Sequence, residues 1–353
     1  MHLLLLPFTW IYSIIISIRN FLFDIRFFSV KRFNIPIINV GNISLGGTGK
    51  TPQIDYIITL LKEENKVAIL SRGYARMTSC FLYVKVSNIA QEVGDEPLQL
   101  KKKHPDCIIA VDKNRRKGIS KLLKDHPDID VILLDDAFQH RWVLAGLNIL
   151  LTSYQKPIYK DYLLPSGTLR EHKKSIKRAD IIVVTKCPKN LNPNELRLIH
   201  QKLNIYPYQQ LFFSYIQYNN WRNLFGNSNI DNLKEYEIIL VTGIANGKIL
   251  KNELLEKGFK LSHIEFSDHH HYSNEDVKKI LSVFKSNLST KKVILTTEKD
   301  SCKLAELKNR FDDAPVFVVP IETNFTKQKE FNERIKNYIT EHRKNKSISA
   351  KEN

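Results

Sequence analysis

The sequence predicts an α/β protein: a doubly wound parallel sheet, a second and smaller α/β domain, and an amphipathic helix ahead of both. Three observations predict it. From Ile35 onward, short β-branched runs alternate with helical stretches. The runs are continuously apolar, as in strands buried on both faces. A polar, aromatic-rich stretch from Asn204 to Asn232 separates two such series.

Composition narrows the class. The 353 residues are 42% apolar and 26% charged, which excludes a wholly disordered chain and a polytopic membrane protein. With 13 Gly and 13 Pro the chain is not low-complexity. Fifty-four basic against 37 acidic residues give +17, which points to an anionic partner: nucleic acid, anionic lipid or a phosphorylated substrate. Cys80, Cys107, Cys187 and Cys302 form no paired spacing, so neither a disulfide framework nor a zinc site is expected.

Residues 1–30 form the first unit. Leu3 to Ile18 holds 12 apolar residues of 16, short of the roughly 20 that a spanning helix needs. A basic n-region and a small-residue cleavage site, the marks of a signal peptide, are missing. Thr9, Ser13, Ser17, Asn20 and Asp24 recur at helical spacing and share one arc, opposite Ile11, Ile14, Ile18 and Phe21. This reads as a helix in the membrane interface, with Arg19, Arg26, Lys31 and Arg32 available to anionic lipid. A helix docked on the protein's own core and a single-span anchor are the other readings.

Strands follow at Ile35–Val40, Val67–Ser71, Phe81–Val84, Cys107–Val111, Val131–Asp135, Leu147–Leu151 and Ile181–Thr185. They place a nucleotide-binding domain at 31–205. Leu211–Tyr218 reads as a connecting strand. A smaller domain over 206–340 contains Ile238–Thr242, a helix near Lys248–Lys257, Val293–Thr297 and Val316–Val319. Beyond Arg343 the polar segment 341–353 reads as a disordered tail.

The first strand runs into GNISLGGTGKTP, which ends as a Walker A loop does. Glycines let backbone N–H groups face phosphate oxygens, and the following helix adds its dipole. Ser44, Gly46, Gly47, Thr48 and Gly49 would form the cradle, Lys50 would reach the β- and γ-phosphates, and Thr51 would ligate Mg²⁺. Ser44 stands where the regular pattern has glycine. The strand Val131–Leu134 ends in Asp135 and Asp136 at the same crevice. One carboxylate would serve Mg²⁺ and the other the substrate. ATP is expected rather than GTP, because Pro188 occupies the place of the guanine-reading Asp; Thr185–Lys186 reads as a strand end.

Other polar groups cluster at turns. Gly94-Asp95-Glu96-Pro97 opens a helix, where capping alone is the plain reading. Arg72 follows the second strand, Gln139 and His140 follow the paired Asp residues, and Arg170 and Glu171 share a loop. Phe266 to Tyr272 is rich in His, but adjacent His side chains on an extended chain alternate sides and chelate poorly. The basic stretches 101–124 and 170–178 lack interleaved aromatics, and no nucleic-acid-binding signature appears.

The motifs in order, GNISLGGTGKTP, SRGYAR, VGDEP, LDDAFQHR, PSGTLREH, VTGIANGK, FSDHHHY and LTTEKD, resemble the tetraacyldisaccharide 4'-kinase (lipid A 4'-kinase) family over most of the chain. The resemblance implies transfer of the ATP γ-phosphate to the 4'-hydroxyl of a tetraacyl glucosamine disaccharide 1-phosphate. It implies a peripheral protein on the cytoplasmic face of the bacterial inner membrane, with the site between two α/β domains. ATP and Mg²⁺ would be required, the anionic glycolipid and the membrane surface would be the partners, and the chain would act as a monomer without nucleic acid. Matched by motif, Asp95 and His269 would be the catalytic pair and Asp136 would assist. Thr51, Asp135 and Asp136 would hold the metal, and Arg72, Gln139, Arg170 and Glu171 the substrate. The chain departs from the family pattern at Ala75, Ala137 and His172. The rival readings are a membrane-associated partitioning ATPase, against which Leu45 replaces the signature Lys, and a soluble-sugar kinase.

Overall fold

The computed structural model describes residues 5–226 and 233–349. Leu3 and Leu4 of the apolar run, 227–232 of the aromatic-rich stretch and 350–353 of the expected tail lie outside the described residues.

Helix α1 (Leu6–Asp24) begins with Pro7 in its first turn, where a missing N–H leaves no bond unmade. The polar arc expected from the sequence is its docking face. Thr9 Oγ1 meets Ser166 Oγ at 2.7 Å, and Ser13 and Ser17 reach His172 Nε2 at 3.3 and 3.0 Å. Asp24 ion-pairs with Arg141 at 2.6 Å and Lys177 at 3.3 Å. The apolar side faces outward: Phe8, Trp10, Ile11, Ile14, Ile15 and Ile18 are each more than half exposed, and only Phe23 of this helix is buried. A helix docked on its own core would show the reverse. Arg19, expected to meet lipid, instead donates to the Gln139 carbonyl oxygen at 2.6 Å.

The nucleotide-binding half follows as β1 (Ile37–Asn42), α2 (Lys50–Leu61), β2 (Val67–Ser71), β3 (Leu82–Tyr83), α3 (Ala90–Val93), α4 (Asp95–Lys103), β4 (Ile108–Val111), α5 (Arg115–Asp125), β5 (Val131–Asp135), β6 (Leu147–Ser153), β7 (Ile181–Thr185), α6 (Pro193–Leu203) and β8 (Gln210–Tyr218). The second half holds β9 (Arg222–Asn223), β10 (Glu237–Thr242), α7 (Gly247–Glu256), β11 (Leu261–Glu265), α8 (Asn274–Ser286), β12 (Lys292–Thr297), α9 (Glu298–Leu304), β13 (Val316–Val319), β14 (Ile321–Phe325) and α10 (Gln328–Ser349).

The first sheet has nine strands in the order β14-β8-β7-β6-β1-β5-β2-β4-β3. All ladders from β8 to β4 are parallel, and the edges β14 and β3 are antiparallel. Chain order reverses beside β1, between β5 and β6, which opens the crevice at their C-terminal ends. The second sheet runs β11-β10-β12-β13-β9, parallel except for β9.

The domain boundary at 205/206 differs from expectation. β8 pairs with β7, and β14 with β8, so 210–218 and 321–325 belong to the first sheet. The second body spans the chain between them. Two crossings join the bodies side by side, where Asn219 N–H donates to the Pro320 carbonyl oxygen at 3.0 Å. Helix α10 also returns to the first body: Phe331 and Ile335 are fully buried in its core, and Tyr338 Oη bonds both the amide and the carbonyl of Ile37. Burying Phe331 alone stabilises that return by about 1.5–3 kcal/mol. The helix continues past Arg343 to Ser349, where the sequence predicts a disordered tail; the amphipathic repeat that docks it simply has no strong stop signal.

Candidate active site

The phosphate loop joins β1 to α2. Gly46 and Gly49 hold φ of +100° and +82°, values L side chains rarely adopt, which the turn of this loop requires. Asn42 Nδ2 donates to Thr48 Oγ1 at 2.6 Å, and the Thr48 carbonyl accepts from Thr185 Oγ1 at 2.7 Å. Lys186 donates to the Gly47 carbonyl at 2.6 Å, so the expected strand end contributes a loop contact. Ser44 is buried and bridges to Leu169, which seats the position where glycine was expected.

Opposite the loop, Asp136 adopts φ +45° at the end of β5 and is held from two sides. Arg170 grips both of its oxygens, at 2.9 and 3.2 Å, and Lys50 Nζ lies 3.8 Å away. Burial raises the Asp136 carboxyl, but the charges of Lys50, Arg170 and Arg115 outweigh it and leave it below the ordinary range.

Asp135 is the contrary case. It is buried and accepts one bond, from Ser71 Oγ at 2.7 Å; its Oδ1 is buried without a partner. Burial first, then the nearby charges of Glu96 and Asp136, push its pKa up to about 7. An orphaned anionic oxygen beside a phosphate cradle is what a Mg²⁺ site with one or two carboxylates and substrate phosphates requires. Among the described residues no group of three His, Cys, Asp or Glu forms a cage. Arg115, buried on α5, donates to the Asp135 and Asp112 carbonyls at 2.8 and 2.9 Å; burial lowers it to about 10, so it stays a cation.

A raised folded-state pKa means that Asp135 adds stability at acid pH and loses it as pH rises through about 7. Protein free of metal and nucleotide should therefore melt about 5 °C lower at pH 8 than at pH 5 through this group. Asp135→Asn should flatten that slope; a scan showing the same slope in the variant would refute the account.

The second body closes the site. His269, in the β11–α8 loop at φ +59°, places Nδ1 3.0 Å from Asp95 Oδ2 at the start of α4. Burial raises Asp95, but hydrogen bonds from His269 and Lys303 and the Lys303 charge prevail, so its carboxyl lies below the ordinary range. Lys299 Nζ lies 3.2 Å from His269 Nε2. Of the other histidines in the run, His270 stacks on Phe266 at 4.6 Å and bonds Asp276, a structural role.

The remaining expected residues divide. Arg170 and Gln139 sit at the crevice, with Gln139 Nε2 donating to the Asn42 carbonyl at 2.8 Å. Arg72 is exposed at the end of β2. Thr51 is half-buried in the first turn of α2. Glu171, expected near substrate, is fully buried, ion-paired to Arg178 and bonded by Ser175 at 2.8 Å, as befits a loop anchor. Ala75 adopts φ +59°, which accounts for glycine as the expected residue there. Ser71, Arg115, Lys186, Lys299 and Lys303 were not singled out from the sequence. Ser71 lies in the SRGYAR motif and Lys299 in LTTEKD, whereas Lys186 reads from the sequence only as a strand end.

The family model described as tetraacyldisaccharide-1-P 4'-kinase (LpxK) matches residues 1–340. The chain belongs to this family. It is thereby a lipid A 4'-kinase, and the partitioning-ATPase and soluble-sugar readings are not favoured. A tetraacyldisaccharide 4'-kinase of Bacteroides thetaiotaomicron is 41% identical, covering 100% of this chain and 97% of its own. One of Flavobacterium johnsoniae is 42% identical over 96% of this chain and 97% of its own. Among solved structures, LpxK from Aquifex aeolicus, described as an "apo" form in complex with ATP, is similar with a TM-score of 0.76 and 31% identity. The match covers 96% of this chain and 99% of that one. Family membership accounts for the shared architecture of two α/β bodies meeting at the phosphate loop.

Proposed function

We propose that this kinase transfers the γ-phosphate of ATP in line to the 4'-hydroxyl of a tetraacyl glucosamine disaccharide 1-phosphate, with Asp95 as general base. The observation that carries the reading is the Asp95–His269 pair, drawn from two bodies and set at the nucleotide crevice. The substrate oxygen forms a bond to Pγ, the bond from Pγ to the β-phosphate oxygen breaks, and the hydroxyl proton passes to Asp95 as ADP leaves. Lys50 and the amides of 46–51 bind phosphate oxygens, and Arg170 neutralises charge beside Asp136. Mg²⁺, held by Thr51, Asp135 and Asp136, would supply charge neutralisation on the transferring phosphates. Most of the rate arises from positioning, because little covalent chemistry is asked of the protein.

The lipid acceptor fits the N-terminal side. Beside α1, a groove of about 1040 Å³ is lined by Trp10, Phe21 and Leu163 together with Lys173, Lys174 and Lys177. It joins apolar surface to cations, as an anionic lipid requires. α1, apolar enough by length and composition to cross a membrane, exposes its apolar face and docks by its polar one. This supports a peripheral seat on the inner membrane, on the cytoplasmic face where ATP is present.

The test is an ATP- and Mg²⁺-dependent assay on the monophosphorylated tetraacyl disaccharide in detergent. Absence of transfer to the 4' position would overturn the reading. Deleting residues 1–28 should release the protein from anionic vesicles. It should also lower kcat about tenfold in detergent, because Tyr12 Oη bonds the Arg170 carbonyl at 2.9 Å and Arg19 the Gln139 carbonyl. Full vesicle retention would refute the interfacial seat.

A further inference from the structure

Helix α9 lies at the junction of the two bodies and carries two lysines one helical turn apart. Its N-terminus is fixed: Thr297 Oγ1 caps the Asp300 amide, and Asp300 Oδ2 accepts from Thr297 Oγ1 at 2.7 Å and Gly243 N–H at 3.0 Å. Residues four apart share a face. Lys299 and Lys303 thus point together toward the catalytic pair.

Lys303 is 5% exposed, and a lysine is buried to that degree only when paired. Its ammonium lies 2.6 Å from Asp95 Oδ2 and donates to the His270 carbonyl at 2.9 Å. We propose that Lys303 is a positioning residue for the phosphoryl transfer: with His269 it clamps Asp95 Oδ2, leaving Oδ1 as the proton acceptor, and so completes the base only when the second body is docked. The inference rests on the reading of Asp95 as general base.

Lys299 supports the clamp from the other side. An ammonium only donates, so His269 Nε2 accepts from Lys299 at 3.2 Å. The ring proton is then on Nδ1 and is donated to Asp95 Oδ2. Both contacts to Asp95 fall on the same oxygen. The titratable groups facing Asp95 are therefore His269, which donates from Nδ1, and Lys303. Lys299 and Asp268 meet the far edge of His269, with Lys299 Nζ 3.0 Å from Asp268 Oδ1. Neighbouring Glu96 acts on Asp135. From α2, Asp55 faces Lys103 and His104 at the other end of α4, where Glu298 of α9 also meets Lys103 at 3.5 Å.

The arrangement has a signature that a structural lysine lacks. Without the Lys303 charge, burial acts on Asp95 with one cationic partner fewer, and its carboxyl rises. The acid limb of the rate profile must follow.

The test is the full-length Lys303→Gln enzyme, which removes the charge and keeps an amide donor one bond shorter. Expected are a kcat loss of about 10–100-fold at pH 7, a KM for ATP within about threefold of wild type, and an acid limb moved up by about 1–2 pH units. Lys303→Arg, which keeps the charge, should restore the limb to its wild-type position. A loss equal at every pH with the limb unmoved, or no loss, overturns the proposal. Should Lys303→Gln fail to fold, Asp95→Asn/Lys303→Gln removes both buried charges together. Against Asp95→Asn alone, the double variant should differ by less than about twofold in residual rate; a further tenfold drop overturns the proposal. If Asp95→Asn itself retains wild-type turnover, the base assignment fails, an outcome distinct from an inactive Asp95→Asn with an unmoved limb in Lys303→Gln.

Discussion

Asp95→Ala is expected to lower kcat by about 10³-fold while ATP binds within about threefold of wild type. Asp95 touches His269 and Lys303 of the second body, and among the described residues its side-chain partners lie outside the phosphate loop. Removing it deletes the proton acceptor without opening the nucleotide cradle. Its carboxyl lies below the ordinary range, so the wild-type rate should be flat through neutral and mildly acid pH and fall only in stronger acid. Calorimetric titration with ATP alongside steady-state kinetics separates the outcomes. Lost ATP binding would make Asp95 a structural residue, and retained turnover would remove it from the chemistry.

Lys50→Met should act on the nucleotide itself. A fall of about 10²–10³ in kcat/KM for ATP is expected, with weaker ATP binding as part of it. Lys50, at the end of the phosphate loop, lies 3.8 Å from Asp136. Its removal leaves Asp136 to Arg170 alone, so the empty protein should keep its fold through the two-pronged Arg170 contact. The contrast with Asp95→Ala is diagnostic: one variant loses nucleotide affinity, the other loses turnover with affinity retained. Equal ATP affinity in Lys50→Met and wild type would place the phosphates elsewhere.

The local devices were legible because their physics is local. A strand, a glycine-rich turn and a helix start are encoded by consecutive residues, so GNISLGGTGKTP announced its loop. The Asp135–Asp136 pair followed from an apolar strand that ends in carboxylates. The polar arc of α1 followed from helical spacing, and the structure uses the same five residues to dock it. The direction of docking was not legible. Periodicity shows two faces but not which one meets protein, and only the partners Ser166, His172 and Arg141 decide it.

Pairings distant in sequence were hidden for a related reason. A β-branched run does not state its neighbour, so β14 and α10 read as parts of the smaller domain until the ladder with β8 and the burial of Phe331 returned them to the first. Glu171 read as a substrate contact because a charged pair in a loop is usually solvated; its burial against Arg178 depends on elements some way apart in the chain.

By itself, then, the sequence determined the local frame on which the proposed nucleotide chemistry rests: the glycine-rich turn, Lys50, Thr51 and the paired Asp residues are placed by short-range geometry that consecutive residues encode. Only the tertiary structure decided which carboxylate is charged. Asp135 and Asp136 are adjacent and chemically alike, yet burial and the charges of Glu96 and Asp136 lift one to about 7 while Lys50 and Arg170 hold the other down. Only it, too, brought Lys303 to Asp95 across 208 positions of chain, because a buried ion pair forms where two bodies meet and leaves no trace in local spacing.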